Sequence, residues 1–279
     1  MNDGILEILS YGFIQRALLA GTLIAVLCSV LGVFLVLRRL ALIGDGLAHV
    51  TFGSTAIALA LKLYAAASLL ASLPIVLLSS LGILKLTEKA RLSGDTAIGV
   101  VSALGISSGI ILASLGGGYN VDLLSYLFGN ILAISSEETL LAAGLFCVVA
   151  LLLGLFFHDL TAVTFNEELA RVGGVPTNLI NAVLVMLTSL SVVLAMKLVG
   201  IMLISSLLIL PAATALQSAR SFRGCIVMAA LQGGCSVIAG IFVSFALNLP
   251  TSATVVLINL LLLAAAFFRR RLLRGGSNS

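Results

Sequence analysis

The stretch of this sequence best supplied for metal or proton chemistry is Leu42-Ile43-Gly44-Asp45-Gly46-Leu47-Ala48-His49. Asp45 and His49 stand at i and i+4, so a helix places the carboxylate and the imidazole on one face. That pair suits Zn²⁺, Mn²⁺ or Fe²⁺ better than Ca²⁺ or Mg²⁺, which prefer oxygen alone. Gly44 and Gly46 flank Asp45 and would allow local unwinding, which frees backbone carbonyls for further coordination. Two readings fit the spacing equally well. One is a pair of metal ligands, and the other is a buried Asp–His hydrogen bond that stabilises packing.

The elements around the pair set its environment. Of 279 residues, 61% are hydrophobic and 9% are Asp, Glu, Lys or Arg, against about 25% charged in a soluble domain. So few charges cannot cover a water-facing surface, which excludes a soluble enzyme, a nucleic-acid binder and a disordered chain. Trp is absent, and bases have little to stack on. The composition is that of an integral membrane protein. Cys28, Cys147, Cys225 and Cys235 lie in apolar runs without CxxC spacing, which predicts small buried hydrophobes and no disulfide framework.

Crossing the hydrocarbon takes about 20 apolar residues. Such runs fall at about 16–37, 42–62, 64–84, 95–115, 138–157, 177–197, 199–218, 224–247 and 250–268. The expectation is an all-α polytopic bundle of about nine transmembrane helices, eight to ten being compatible, in a single transmembrane unit over 1–279. Basic residues cluster at Arg38-Arg39, Lys85 to Arg91, Arg220 with Arg223, and Arg269 to Arg274, while the first residues carry only Asp3 and Glu7. The positive-inside rule then gives an N-out, C-in chain without a cleaved signal peptide. Counted from Arg39 at about 1.5 Å per residue, His49 lies roughly 15 Å deep, where a charge costs about 2.5 kcal/mol or more.

Two connections are too particular to be simple turns. The outer one, 116–132, opens on three glycines and continues as an apolar stretch too short to span, which predicts a re-entrant or surface-lying segment. The inner one contains Asn166-Glu167-Glu168-Leu169-Ala170-Arg171-Val172-Gly173-Gly174-Val175-Pro176. Asn166 is a natural N-cap, Glu167 and Glu168 suit the positive end of a short helix, and Gly173 suits its stop. Leu169 and Val172 then share a face on the cytoplasmic side. Asp95 is expected to cap the helix it begins. Pro211 predicts a kink beside a pathway, and Gly105 with Gly109 permits close helix packing.

No Gly-Lys dipeptide occurs in the chain, so it holds no nucleotide-binding P-loop. It also lacks a Ser-His-Asp or HExxH arrangement, so an intramembrane protease has nothing to work with. ATP, if used, must be hydrolysed by another subunit. An ion-coupled carrier with Asp45 and His49 as a proton relay would explain that absence equally well. A membrane scaffold with an acidic docking helix is a third possibility.

These residues resemble the membrane permeases of bacterial ABC importers for zinc, manganese and iron. The likeness is carried by LIGDGLAH (42–49), GDTAIGVV (94–101), VDLLSYLFGNIL (121–132), NEELARVGGVP (166–176) and VGIMLISSLLILPAATA (199–215), in the family's order. The family often has Ser before the His and Pro four residues after it, where this chain has Ala48 and Gly53. The resemblance implies that Asp45 and His49 coordinate the transported ion. It also implies that Asn166, Glu167, Glu168, Leu169, Arg171, Val172 and Gly173 form the coupling helix that docks on a separate ATPase. The further partners implied are a second permease copy and an extracytoplasmic metal-binding protein, in the bacterial inner membrane. The family holds no permanent cofactor, the metal being cargo. A self-powered carrier has no need of the Asn166–Pro176 motif, which favours the ATP-driven reading.

Overall fold

Backbone polar groups in hydrocarbon must be paired within their own segment, and helices do this residue by residue. A computed structural model describes residues 11–60, 65–90, 92–115, 129 and 134–275, and among them every regular element is helical. In chain order these are α1 (Gly12–Leu37), α2 (Ile43–Ala60), α3 (Ala65–Lys89), α4 (Gly94–Leu115), α5 (Ser136–Leu155) and α6 (Phe157–Phe165). They continue as α7 (Glu167–Val172), α8 (Thr177–Val199), α9 (Ile201–Ser218), α10 (Phe222–Leu247) and α11 (Thr251–Gly275). Seven of them, α1, α4, α5 and α8 to α11, are long and apolar enough to cross a membrane, counted over the described residues.

Helix ends follow side-chain chemistry. Ser135 and Glu138 form a reciprocal capping box at the start of α5, and the Ser221 hydroxyl accepts from Gly224 N–H at the start of α10. At the start of α4 the cap is Ser93, whose Oγ accepts from Thr96 N–H at 3.2 Å. Asp95, expected there, instead lies in the first turn. It keeps a favourable place at the helix's positive end without the capping bond. Segment 116–132, expected to be re-entrant or surface-lying, lies outside the described residues except for Gly129. That glycine, at φ +60°, sits so close to Val199 and Gly200 that no side chain would fit.

Burial sorts the helices. About two-thirds of α1 and α8 is enclosed, whereas α5 and α11 bury under a quarter of their spanning windows. Leu140, Leu151, Leu261 and Phe268 are among their exposed side chains, a surface suited to lipid and not to water. Lipid offers no hydrophobic driving force between helices, so close backbone approach and hydrogen bonds must hold them together. The most extensive pair, α2 with α4, meets through glycine. A Cβ at Gly105 would lie 2.7 Å from Val50 Cα, one at Gly109 2.9 Å from Gly53 Cα, and one at Gly53 would collide with the Gly105 carbonyl. The small-residue spacing at 105 and 109 is thus a contact seam, and Gly53 belongs to it.

Two further joints matter below. Pro211 has no N–H, so the carbonyl of Leu207, four residues earlier, loses its helical donor. The Ser29 hydroxyl of α1 lies 3.4 Å from that oxygen and donates to it. Phe34 of α1, Phe157 and Phe165 of α6, and Phe222 of α10 form an aromatic cluster. Its ring centroids are 5.5 Å apart for Phe34–Phe222, 6.5 Å for Phe34–Phe157 and 5.3 Å for Phe165–Phe222, all in edge-to-face contact.

Because the α2–α4 seam cannot open without moving backbone, Gly105→Val is expected to lower the thermal midpoint in detergent by about 5 °C. Gly99→Ala, on the same helix with open space around it, should leave the midpoint unchanged. Equal behaviour of the two variants would show that the seam carries no packing energy.

Candidate functional site

The site begins at the corner between α1 and α2. Arg38 caps α1, and Arg39 takes the left-handed conformation at φ +57°. Leu40 N–H bonds Leu35 C=O at 2.9 Å, and Ile43 N–H bonds Leu40 C=O at 3.1 Å. This tight turn starts α2 at Ile43, so Asp45 falls in its first turn and His49 one turn later. Gly44 and Gly46 do not unwind it, since α2 runs unbroken through both. A Cβ at Gly44 would overlap Leu208 of α9, and one at Gly46 would meet Ile98 of α4 at 2.6 Å. The glycines therefore serve close approach of neighbouring helices.

His49 Nε2 lies 3.5 Å from Asp45 Oδ2. The other carboxylate oxygen, Oδ1, accepts from the Ser205 hydroxyl of α9 at 3.2 Å. One carboxylate thus ties its own helix to a second one, 160 residues away in sequence. Both side chains remain accessible, Asp45 at 46% and His49 at 24%. A half-exposed carboxylate on a helix of this bundle needs a polar neighbour or an ion, because lipid would not tolerate it. No group of three or more His, Cys, Asp or Glu suited to a metal occurs among the described residues. One chain therefore brings a carboxylate, an imidazole and, behind them, one hydroxyl. That set can receive a divalent ion and cannot by itself enclose it.

Ser205 is held in place by its helix. Gly200, at φ +84°, separates α8 from α9. Beyond Ser205, the backbone of Leu208 packs directly against Gly32 of α1, and Leu207 takes the Ser29 bond. Pro211 lies further along the same helix, buried, six residues beyond Ser205.

The connection through α7 forms a separate polar cluster. Asn166 Oδ1 accepts from Leu169 N–H at 3.0 Å, which caps α7 as its sequence suggested. Gly173 closes the helix through its N–H to Leu169 C=O at 2.9 Å, and the left-handed residue is the next one, Gly174, at φ +87°. Ala170 is buried, whereas Leu169 and Val172 are 69% and 87% exposed. Two apolar side chains therefore project from α7, beside Glu168, which is exposed as well. Glu167 instead turns inward. It accepts from Arg171 at 3.1 Å and Asn181 at 3.2 Å, and pairs with Arg38 at 3.5 Å. Burial draws the Arg38 guanidinium below its ordinary value, which the charges of Glu167 and Glu88 oppose.

The structure thus unites Asp45 with His49 and leaves the 166–173 group together at a distance in the fold. Sequence reasoning missed Ser205, Arg38 and Asn181 as members of these clusters. The available signal for Ser205 is a polar residue inside an apolar run, and Arg38 in the sequence signals only topology.

A family model described as the ABC 3 transport family matches residues 10–270. The chain belongs to that family. Family membership makes it a membrane transport protein, and the seven candidate spans agree with a multi-pass membrane location. It is 34% identical over 252 residues to the manganese transport system membrane protein MntC of Halalkalibacterium halodurans, covering 90% of this chain and 85% of that one. It is 31% identical over 242 residues to the high-affinity zinc uptake system membrane protein ZnuB of Haemophilus influenzae, covering 86% and 91%. Among solved structures, PsaBC from Streptococcus pneumoniae in complex with Fab matches with a TM-score of 0.83 at 29% identity, covering 96% and 95%.

If the Ser205 hydroxyl orients the Asp45 carboxylate, Ser205→Ala should weaken transport by about tenfold at unchanged abundance in the membrane, the size of one lost bond to a charged acceptor. Ser205→Thr keeps the hydroxyl and is expected to retain most of the activity. The check is ion uptake normalised to membrane-inserted protein.

Proposed function

We propose that the protein is the membrane permease subunit of an ABC importer that carries Mn²⁺ or Zn²⁺, with Fe²⁺ as a further cargo, into the bacterial cytoplasm. The observation that carries this reading is the open Asp45–His49 pair braced by Ser205 in a chain of the ABC 3 family. Carboxylate and imidazole are the ligand types for these ions. The named relatives MntC and ZnuB serve manganese and zinc, which supports the same cargo class here.

Two ligands per chain are too few for a dehydrated ion, and a second copy would double the set to two carboxylates and two imidazoles. A homodimer with the Asp45 faces opposed also removes those groups from lipid. Asp45 and His49 then hold the ion briefly between outward-open and inward-open states. Their affinity must stay modest, since a site that binds too well does not release. An extracytoplasmic binding protein would deliver the ion at the 116–132 side.

Energy comes from a separate ATPase subunit, and this chain serves as its non-catalytic partner. Asn166, Glu167, Glu168, Leu169, Arg171, Val172 and Gly173 form the coupling helix. Leu169 and Val172 supply the apolar contact, Asn166 and Gly173 fix the ends of α7, and Glu167 and Arg171 hold it to the rest of the permease. The chain is one permease unit of about nine spans, with α2 and α3 crossing beside the seven strongly apolar helices. The N-terminus lies outside and the Arg38, Arg171 and Arg223 ends inside. The proton-relay carrier is disfavoured, because a self-powered carrier has no use for an exposed apolar docking helix.

The deciding experiment is radiolabelled Mn²⁺ and Zn²⁺ uptake into depleted cells with co-purification of the ATPase. Asp45→Asn and His49→Ala are each expected to lose at least about tenfold in uptake while retaining the ATPase, because each removes a coordinating atom. Uptake that survives both changes would make the pair a packing device. Val172→Glu should release the ATPase and stop uptake with Asp45 and His49 intact. Retention of the ATPase by that variant would remove α7 from the contact.

A further inference from the structure

Glu167 is the point where α7 meets the helices of the candidate metal site. Its Oε2 lies 3.5 Å from Arg38 Nη2, and its Oε1 accepts from Asn181 Nδ2 at 3.2 Å. Arg38 Nη2 closes the triangle by donating to Asn181 Oδ1 at 2.6 Å. Three side chains from three different segments thus satisfy one another in a ring. The Arg38 side chain is only 11% exposed, so this guanidinium cannot readily exchange its partners for water.

What lies on either side of the ring gives it direction. Arg38 leads into the left-handed corner at Arg39, where the Leu40–Leu35 and Ile43–Leu40 bonds leave no slack before α2 and Asp45. Gly94 at the start of α4 packs on the same corner, a Cβ there lying 2.9 Å from Leu40. Asn181 stands near the start of α8, which runs to the Gly200 break and so to α9 and Ser205. One acid on α7 therefore touches both helical routes to the Asp45 carboxylate. A cavity of about 220 Å³ borders the ring, lined in part by Arg38, Thr87, Glu88 and Glu167.

We infer that Arg38 is a positioning residue of the transport cycle, which passes displacement of α7 through Glu167 and Asn181 to the Asp45 end of α2. This rests on the reading of α7 as the ATPase contact. Arg38 touches neither ion nor ATPase in this scheme. Its role is to make movement at the docking helix and movement at the metal pair one event. The support for it is an unbroken run of polar contacts, from Glu167 on α7 to Arg38 at the end of α1 and Asn181 on α8.

The test uses the full permease–ATPase complex in liposomes, with Mn²⁺ alone as the probe. Four readings are taken: ATPase retained, thermal midpoint, ATP hydrolysed, and Mn²⁺ moved per ATP. Arg38→Gln keeps a hydrogen-bond donor for Asn181 and loses the charge. It is expected to retain the ATPase and the midpoint, yet to move about tenfold less Mn²⁺ per ATP. Arg38→Glu should be worse, and Arg38→Lys, which restores a positive charge beside Glu167, should recover at least about threefold over Arg38→Gln. Unchanged Mn²⁺ per ATP in Arg38→Gln overturns the inference. So does a joint loss of midpoint and ATPase in Arg38→Gln without recovery in Arg38→Lys, which would make Arg38 a residue of the fold. If the wild-type permease retains no ATPase, or if Val172→Glu retains it, the reading of α7 fails first and takes this inference with it.

Discussion

A carboxylate inside a bundle of apolar helices persists only where the protein or an ion answers its charge. Asp45 is answered from two directions, by His49 along its own helix and by Ser205 from α9. Much of the surrounding construction serves that arrangement. Gly44 lets Leu208 approach α2, Gly32 lets the backbone of α9 approach α1, and Ser29 takes up the carbonyl that Pro211 leaves without a donor. In lipid, where burial of apolar surface gains nothing between helices, such small-residue and hydroxyl contacts are the means of fixing relative position. The Asp45 carboxylate is fixed on its protein side and open on the other.

The end of the molecule that carries α6 and α7 is built on a different principle. Phe34, Phe157, Phe165 and Phe222 lock α6 against α1 and α10 by ring contacts that need no charge. Next to them, Arg38, Glu167 and Asn181 join by directional polar bonds. Apolar packing tolerates small sliding, whereas a charged ring with defined donors and acceptors does not. The two joints lie on consecutive short helices, α6 and α7, so the same connection is both cushioned and keyed.

The long apolar runs were legible in the sequence because each helix carries its own signal, independent of its neighbours. Asn166 and Gly173 were legible for the same reason, as capping is decided within a few residues. Asp95 misled because two polar residues, Ser93 and Asp95, stand at the start of one helix, and spacing alone did not show which would be its cap. Ser205 was illegible because its partner is 160 residues away and a serine in a span most often bonds its own helix, as Ser191 and Ser206 do. Gly44 and Gly46 suggested unwinding, and only the positions of Leu208 and Ile98 revealed that they make room. Local chemistry reads from local sequence, and contacts between helices do not.

The aromatic cluster has a practical consequence. The chain contains no Trp, so its own fluorescence is that of a few tyrosines. A single indole placed at Phe222, whose ring faces Phe34, Phe157 and Phe165 at once, would therefore be the sole emitter of its kind in the permease. Its colour and quenching would follow the contact between α6, α1 and α10 without any attached dye.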